Sequence, residues 1–190
     1  MADQPEYNEV RRWIQEFAEE AKLPVGEQEL ERLEVAGLGL EELELTGLQI
    51  VTLASTDRVG VKLLFLRPNQ FFPQHRTPTW SRKATLERPR YCADTTGRPT
   101  STCRESAAKS PKVSPLACRR PFCTVWKEVG LLPGQQYICP PNTWHWFQAG
   151  PVGAIVWSIS SKATDAADQF NDPQVIRMSS IQASHRKTRR

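Results

Sequence analysis

Long apolar runs are missing from this sequence of 190 residues. No run approaches the roughly 20 apolar residues needed to span a bilayer, which argues against a transmembrane helix. The opening residues, MADQPEYNEVRRWIQEF, are polar and acidic and lack the apolar core of a signal peptide. Hydrophobic residues make up 39% of the chain, which is typical of globular proteins. The sequence therefore predicts a cytoplasmic protein without a membrane partner.

Paired cysteines are also missing. The five cysteines form no CxxC motif of the kind that binds zinc, and no secretion signal accompanies them. Disulfides are disfavoured in proteins that stay in a reducing compartment. We therefore expect reduced, unpaired thiols at Cys92, Cys103, Cys118, Cys123 and Cys139.

Aromatic residues are scarce where the positive charge is concentrated. The formal net charge is +4, and basic residues outnumber acidic ones between Arg76 and Arg120 and again in residues 185–190. Proteins that bind single strands add aromatic stacking platforms to such charge, and the common DNA-binding folds have recognisable helix or finger spacings. Because both features are lacking, the sequence predicts no nucleic-acid partner. A steep salt dependence of polyanion binding would favour the alternative, a nucleic-acid-associated protein.

The N-terminal residues have the spacing of an amphipathic helix with one apolar and one charged face. This pattern predicts a helix over residues 6–22, which Pro24 and Gly26 end, and a second short helix over residues 28–33. Residues 1–35 are thus expected to form a helical extension. The apolar positions of the first helix are Val10, Trp13, Ile14, Phe17 and Ala21.

From Thr46 onwards the period changes to that of strands. Short runs rich in Val, Ile and Leu alternate with turns that contain Pro, Gly and Asn. Many short strands after a helix indicate a closed barrel or a sandwich. We therefore predict one mainly β domain over residues 1–178 and a disordered basic tail over residues 179–190. The predicted strands are TGLQIVTLAS, RVGVKLLFLRP, FFPQHR, TVWKEVGLL, QQYICPP, NTWHWFQAG and GAIVWSISS.

Residues 77–123 differ in composition from the rest of the chain. They are rich in Arg, Lys, Thr, Ser, Pro and Cys and show neither helical nor strand periodicity. A loop of this length is uncommon inside a compact domain. By composition we predict an irregular or disordered segment.

Two histidines lie where a small barrel could bring them together. His75 ends the strand FFPQHR, and His145 follows the turn PPNT far downstream. Neutral imidazoles from separate strands bind divalent metals, so the pair is a candidate metal site. The alternative is that both are ordinary polar residues near the mouth of the barrel.

Two longer stretches resemble the D-lyxose isomerase family of cupin proteins. They are ELELTGLQIVTLASTDRVGVKLLFLRPNQFFPQHR and LLPGQQYICPPNTWHWFQAGPVGAIVWSISSKATDAADQFNDP. Collinear similarity of this length is more specific than a short motif. The resemblance implies a cupin-like antiparallel β-barrel, or jelly roll, which carries the helical extension at its N-terminus. It also implies interconversion of a ketose and an aldose of the D-xylulose/D-lyxose type.

The resemblance further implies a divalent metal centre, with Mn²⁺ the expected ion. The family's centre uses two histidines of an HxH motif, a glutamate and a later histidine, with a lysine two positions before the glutamate. His75 matches the first histidine, His145 the last, and Lys83 the lysine, while Thr77 and Thr85 stand where the second histidine and the glutamate are expected. With the metal, the family moves a proton between C1 and C2 of a small open-chain sugar.

Further departures from the family pattern keep a second function open. Ser158 stands where the strand after His145 is expected to carry an acidic residue. The missing ligands favour, as an alternative, a non-catalytic cupin that binds a sugar or serves as an interaction module. In either case exposed strand edges make a homodimer a reasonable expectation.

Two explanations of the unusual segment also remain open. One is a shift of reading frame immediately after Arg76, in the gene or in its sequencing, and the other is a divergent insertion that replaced half of the site. Codons for residues 77–83 can be read with a one-base offset as His-Pro-Pro-Gly-Pro-Gly-Lys, which restores the HxH motif. With a different offset, residues 99–105 can be read as Asp-Val-Tyr-Met-Pro-Gly-Glu. The family pattern resumes in the encoded frame at Thr124.

Overall fold

The computed structural model describes residues 4–23, 25–77, 90–94, 102–103, 115–161 and 167–177. Two helices, α1 (Gln4–Glu20) and α2 (Glu27–Leu30), precede the first strand, and a 3-10 helix (Arg120–Phe122) lies between the sixth and seventh strands. The predicted tail, residues 179–190, lies outside the described residues. The strands are β1 (Leu33–Ala36), β2 (Leu48–Ser55), β3 (Gly60–Leu66), β4 (Phe71–Arg76), β5 (Arg90–Asp94), β6 (Thr102–Cys103), β7 (Val129–Gly130), β8 (Gln136–Cys139), β9 (His145–Gln148), β10 (Ala154–Ser160) and β11 (Gln169–Phe170).

Two antiparallel sheets share one apolar core. The larger sheet has the strand order β1-β2-β3-β10-β5-β8, the smaller has the order β11-β4-β9, and β6 and β7 form a separate pair. Side chains alternate between the two faces of a strand. Ile50 and Leu64 from the larger sheet therefore meet Phe72 and Phe147 from the smaller sheet in one buried cluster. This is the mainly β, antiparallel architecture that the sequence predicts.

Helix α1 covers the outer face of the larger sheet. Val10 and Ile14 are fully buried there, in a cluster with Leu63, Phe65 and Ile155 of the central strands. The predicted helix agrees with the observed one to within two residues at each end. Within the part of the chain that the structure describes, no helix is long and apolar enough to cross a membrane.

Two stretches that the sequence does not predict as strands pair with neighbouring strands. The predicted second helix extends to Leu33, but β1 begins at this residue and pairs with β2. Most of residues 77–123, which are predicted to be irregular, lie outside the described residues, but among those described β5 pairs with both β10 and β8, and β6 pairs with β7. Pairing with strands distant in the sequence does not require local apolar periodicity, so the pattern missed these strands.

The last part of the segment predicted to be irregular packs on the outer face of the smaller sheet. Cys123 joins Phe71 and Trp146 in a small buried cluster. The strand pattern of the sequence resumes only at Thr124, so packed structure begins earlier in the chain than that pattern indicates. Residues 115–123 therefore belong to the wall that supports β4 and β9.

Candidate active site

His75 and His145 lie opposite each other on neighbouring strands. The register of β4 with β9 pairs the two residues directly. Their ring centroids are 4.1 Å apart, and the side chains are buried, with 2% and 8% of their surface exposed. The structure thus brings together the two histidines that the sequence singles out.

A β-bulge in β4 turns His75 towards the interior. The register with β9 shifts between Phe72 and His75. Strict alternation from Phe72, which packs in the core, would point Gln74 inwards. Gln74 instead accepts a hydrogen bond from the backbone N–H of Thr124 on the outer face. Pro73 lies within the bulge, a place where strands accommodate a residue that has no N–H to donate.

Backbone carbonyls favour the same tautomer in both imidazoles. Nδ1 of His75 lies 2.9 Å from the carbonyl oxygen of Pro73, and Nδ1 of His145 lies 2.8 Å from that of Thr143. A carbonyl oxygen only accepts, so each contact favours a neutral ring with its proton on Nδ1, and at His145 the Sγ of Cys139 also lies 3.5 Å from this nitrogen. The lone pair then resides on Nε2, which is the form that serves as a metal ligand or a base.

The turn before His145 is tied to the end of β4. Asn142 has φ +57°, a left-handed conformation that asparagine adopts more readily than most residues. Its backbone N–H donates to the carbonyl oxygen of Thr77 at 3.1 Å. This contact holds the two histidine-bearing segments in one position relative to each other.

The two imidazoles line a cavity between the sheets. The volume of this cavity is about 40 Å³. Polar groups combined with apolar surface are typical of small-molecule sites. The apolar lining residues are Leu48, Ile50, Leu64, Phe72 and Phe147. The polar ones, besides the histidines, are Lys62, Cys139, Ser158, Asp168 and Arg177.

Thr77 stands where the resemblance implies a second histidine, and it binds a carboxylate. Its hydroxyl donates to Oδ1 of Asp168 at 2.6 Å. Nη1 of Arg177 lies 3.7 Å from Oδ2 of the same carboxylate, whose side chain is only 3% exposed. The side chain at position 77 is therefore part of a polar chain that leads into the cavity.

Lys62, Asp168 and Arg177 are cavity residues that the sequence analysis did not single out. Lys62 is on the same face of β3 as Leu64, so the alternation of that strand could have identified it. Asp168 and Arg177 lie near the two ends of residues 167–177, where no periodicity marks them. Only the family resemblance, which includes the sequence TDAADQF, pointed to this region.

Comparison with known proteins shows the family to which the chain belongs. No protein-family model matches the chain. A D-lyxose/D-mannose isomerase of Thermosediminibacter oceani is 36% identical over 182 residues, which cover 96% of this chain and 99% of that protein. A D-lyxose ketol-isomerase of Cohnella laeviribosi is 38% identical over 187 residues, with 93% of this chain and 96% of that protein covered. This chain belongs to the D-lyxose isomerase family.

Solved structures confirm the fold. The L-ribose isomerase of Cellulomonas parahominis superposes with a TM-score of 0.70 at 12% identity, covering 91% of this chain and 94% of that one. The L-ribose isomerase of Acinetobacter sp. DL28 gives 0.69 at 13% identity, with 90% and 93% covered. At such identities the likeness concerns the fold alone. It confirms the predicted cupin-like antiparallel β-barrel.

The described residues match only part of the metal centre that the family resemblance implies. His75 and His145 converge, but Thr77 is bound to Asp168, and Lys83 and Thr85 lie outside the described residues. Among the described residues, no group of three or more His, Cys, Asp and Glu side chains could hold a metal ion. These residues therefore do not fit a four-ligand centre.

Proposed function

We propose that the chain is an aldose–ketose isomerase by descent and that its cavity binds a pentose or a related sugar in open-chain form. The observation that carries this proposal is the convergence of His75 and His145 with Asp168 and Arg177 on one partly apolar cavity. Such a mixture of donors, acceptors and apolar surface suits a ligand with both hydroxyls and carbon faces. Relatives named for D-lyxose support D-xylulose and D-lyxose as the pair of sugars to test.

The reaction moves one proton between C1 and C2. A base takes a proton from C1 of the ketose, the electron pair forms the C1=C2 bond, and the C2 oxygen gains a proton to give the enediol. Return of a proton to C2 and loss of one from the C1 oxygen give the aldose. Lys62 and Arg177 are the cavity cations that could stabilise charge on these oxygens, and Asp168 is the carboxylate within reach of the same space.

We also propose that full activity in this family needs Mn²⁺ and that this chain holds the ion poorly. Imidazole and oxygen donors suit Mn²⁺, but His75 and His145 are only two of the four expected ligands. Two protein ligands bind a divalent ion weakly compared with a closed set. We therefore expect little or no interconversion of D-lyxose and D-xylulose by the unmodified chain, even with added Mn²⁺.

A non-catalytic sugar-binding cupin is the second candidate. The observations that favour it are the hydrogen bond between Thr77 and Asp168 and the hydroxyl of Ser158 on the cavity wall. In this alternative the sugar binds without being converted. Sugar binding and turnover must therefore be measured separately.

The test restores the missing ligands with the double substitution Thr77→His and Thr85→Glu. We expect calorimetry to show Mn²⁺ binding at least about tenfold tighter than in the unmodified chain, because each added ligand closes the site further. Adding His145→Ala to this variant should abolish the gain.

Isomerisation of D-lyxose by the restored variant supports the catalytic proposal, whereas sugar binding without turnover in that variant favours the second candidate. Robust activity in the unmodified chain would show that the ligands are misassigned.

A further inference from the structure

Arg177 links β1 to Asp168 at the cavity. Its Nη2 donates to Oε1 of Glu34 on β1 at 3.2 Å, and its Nη1 lies 3.7 Å from Oδ2 of Asp168. Glu34 pairs in register with Ile50, a residue of the cavity wall. The N-terminal extension therefore reaches the cavity through one ion pair.

The guanidinium of Arg177 has more donors than these two contacts use. It carries five N–H groups in a rigid plane, and among the described residues only Glu34 and Asp168 accept from it or pair with it. The side chain is 13% exposed and lines the cavity. Its remaining donors are therefore available to oxygen atoms of a ligand, provided that the plane is held in one orientation.

Glu34 and Asp168 together hold the guanidinium plane of Arg177 in one orientation. A long arginine side chain loses considerable rotamer freedom when it is ordered. Carboxylates near both terminal nitrogens restrict rotation of the side chain, because a single contact would still allow the guanidinium to rotate. Without Glu34, Arg177 would have to be ordered when a ligand binds, and binding would therefore be weaker.

The same contacts set the charge of the cavity. The described charged side chains that line the cavity are Lys62, Asp168 and Arg177, and Glu34 adds a second carboxylate through its ion pair with Arg177, so the formal charges of these four groups cancel. Loss of the Glu34 carboxylate would leave these described groups with one excess positive charge, which attracts anions. A neutral sugar suits the unmodified cavity better than a phosphorylated one.

We propose that Glu34 is a positioning residue for the sugar site, acting through Arg177, and that its charge makes the cavity prefer neutral sugars to anions. The proposal rests on the proposed sugar-binding function. Glu34 itself touches no ligand in this account. It orients the guanidinium and cancels its charge from the outer side.

The experiment compares Glu34→Gln with Glu44→Gln by calorimetry, using D-xylulose and inorganic phosphate as probes. Glu44 is a matched control because it pairs with Arg67 at 3.2 Å and neither residue lines the cavity. We expect Glu34→Gln to weaken D-xylulose binding about fivefold and to strengthen phosphate binding about twofold, the scale of a partly exposed ion pair. Glu44→Gln should change neither constant.

Two further variants separate position from charge and from general destabilisation. Glu34→Asp keeps the charge but shortens the reach, so phosphate affinity should return to that of the unmodified chain while D-xylulose binding recovers only in part. Combining Glu34→Gln with Arg177→Lys should weaken D-xylulose binding no more than Arg177→Lys alone, since Glu34 acts through Arg177.

The outcomes distinguish this inference from the function on which it rests. Unchanged D-xylulose affinity in Glu34→Gln, additive losses in the double variant, or equal losses in Glu44→Gln would each overturn the positioning role. Failure of the unmodified chain to bind D-xylulose at all would instead overturn the proposed function, and this inference with it.

Discussion

Arg119 and Asp172 form a buried ion pair that joins residues 115–123 to the C-terminal segment. Nη1 of Arg119 lies 3.1 Å from Oδ2 of Asp172, and the two side chains are 10% and 2% exposed. Gln174 also accepts a hydrogen bond from Arg119. The desolvation of both charges is compensated only while both partners are present. This pair should therefore respond to substitution far more strongly than the surface pairs of the molecule.

Asp172→Asn tests that expectation. It leaves the buried guanidinium with only a neutral partner, and we expect the free energy of unfolding to fall by about 3 kcal/mol. Urea denaturation measures the change. Glu27→Gln, which removes the exposed partner of Arg11, is the control and should cost less than about 1 kcal/mol. Equal effects of the two substitutions would contradict the burial of the Arg119–Asp172 pair.

Single residues of the site were predictable to the extent that a strand or a motif marked them. His75 lies one residue before the end of its strand and His145 begins its strand, and the structure places their ring centroids 4.1 Å apart. Asp168 and Arg177 were not predictable in this way, because they approach the cavity from a segment without periodicity. Their roles depend on contacts with Thr77 and Glu34, which are remote in sequence.

The strands of the smaller sheet show what periodicity predicts and what it misses at the scale of an element. The extent of β4 follows from FFPQHR, but the direction of His75 depends on the bulge between Phe72 and His75. Alternation alone would have pointed Gln74 into the cavity. Pro73 was the available signal, since a proline within a strand indicates a bulge or an edge.

Helix α1 is an integral part of the barrel wall, and its removal from the sheet should be costly. Ile14 is fully buried against the outer face of the larger sheet. Ile14→Ala deletes three carbon atoms from this interface, and we expect a loss of about 2–4 kcal/mol in unfolding free energy. Glu16→Ala, an exposed position on the same helix, should have little effect. A negligible loss for Ile14→Ala in thermal or urea unfolding would show that α1 is only loosely attached.

At the scale of the whole molecule, the family match and the unusual composition of residues 77–123 have to be reconciled. The relative from Thermosediminibacter oceani matches over 96% of this chain, so the similarity extends on both sides of the segment. The described parts of the segment include β5, which lies between β10 and β8 in the larger sheet. The position is therefore one that the fold uses, while the residues that occupy it lack the strand pattern found elsewhere in the chain.

A shift of reading frame is one hypothesis that would account for both features. It changes the encoded residues but keeps the length and place of the segment, and the alternative reading of residues 77–83 restores the HxH motif. If it is correct, the DNA should contain one or more short insertions or deletions relative to an open frame that encodes this motif. Sequencing codons 75–125 checks this. Stop codons throughout both other frames between codons 77 and 120 would rule it out, and the divergent insertion would then stand. In the first case the chain read in the restored frame should bind Mn²⁺ more tightly than the chain as encoded, because the second histidine would return together with the turn that follows it.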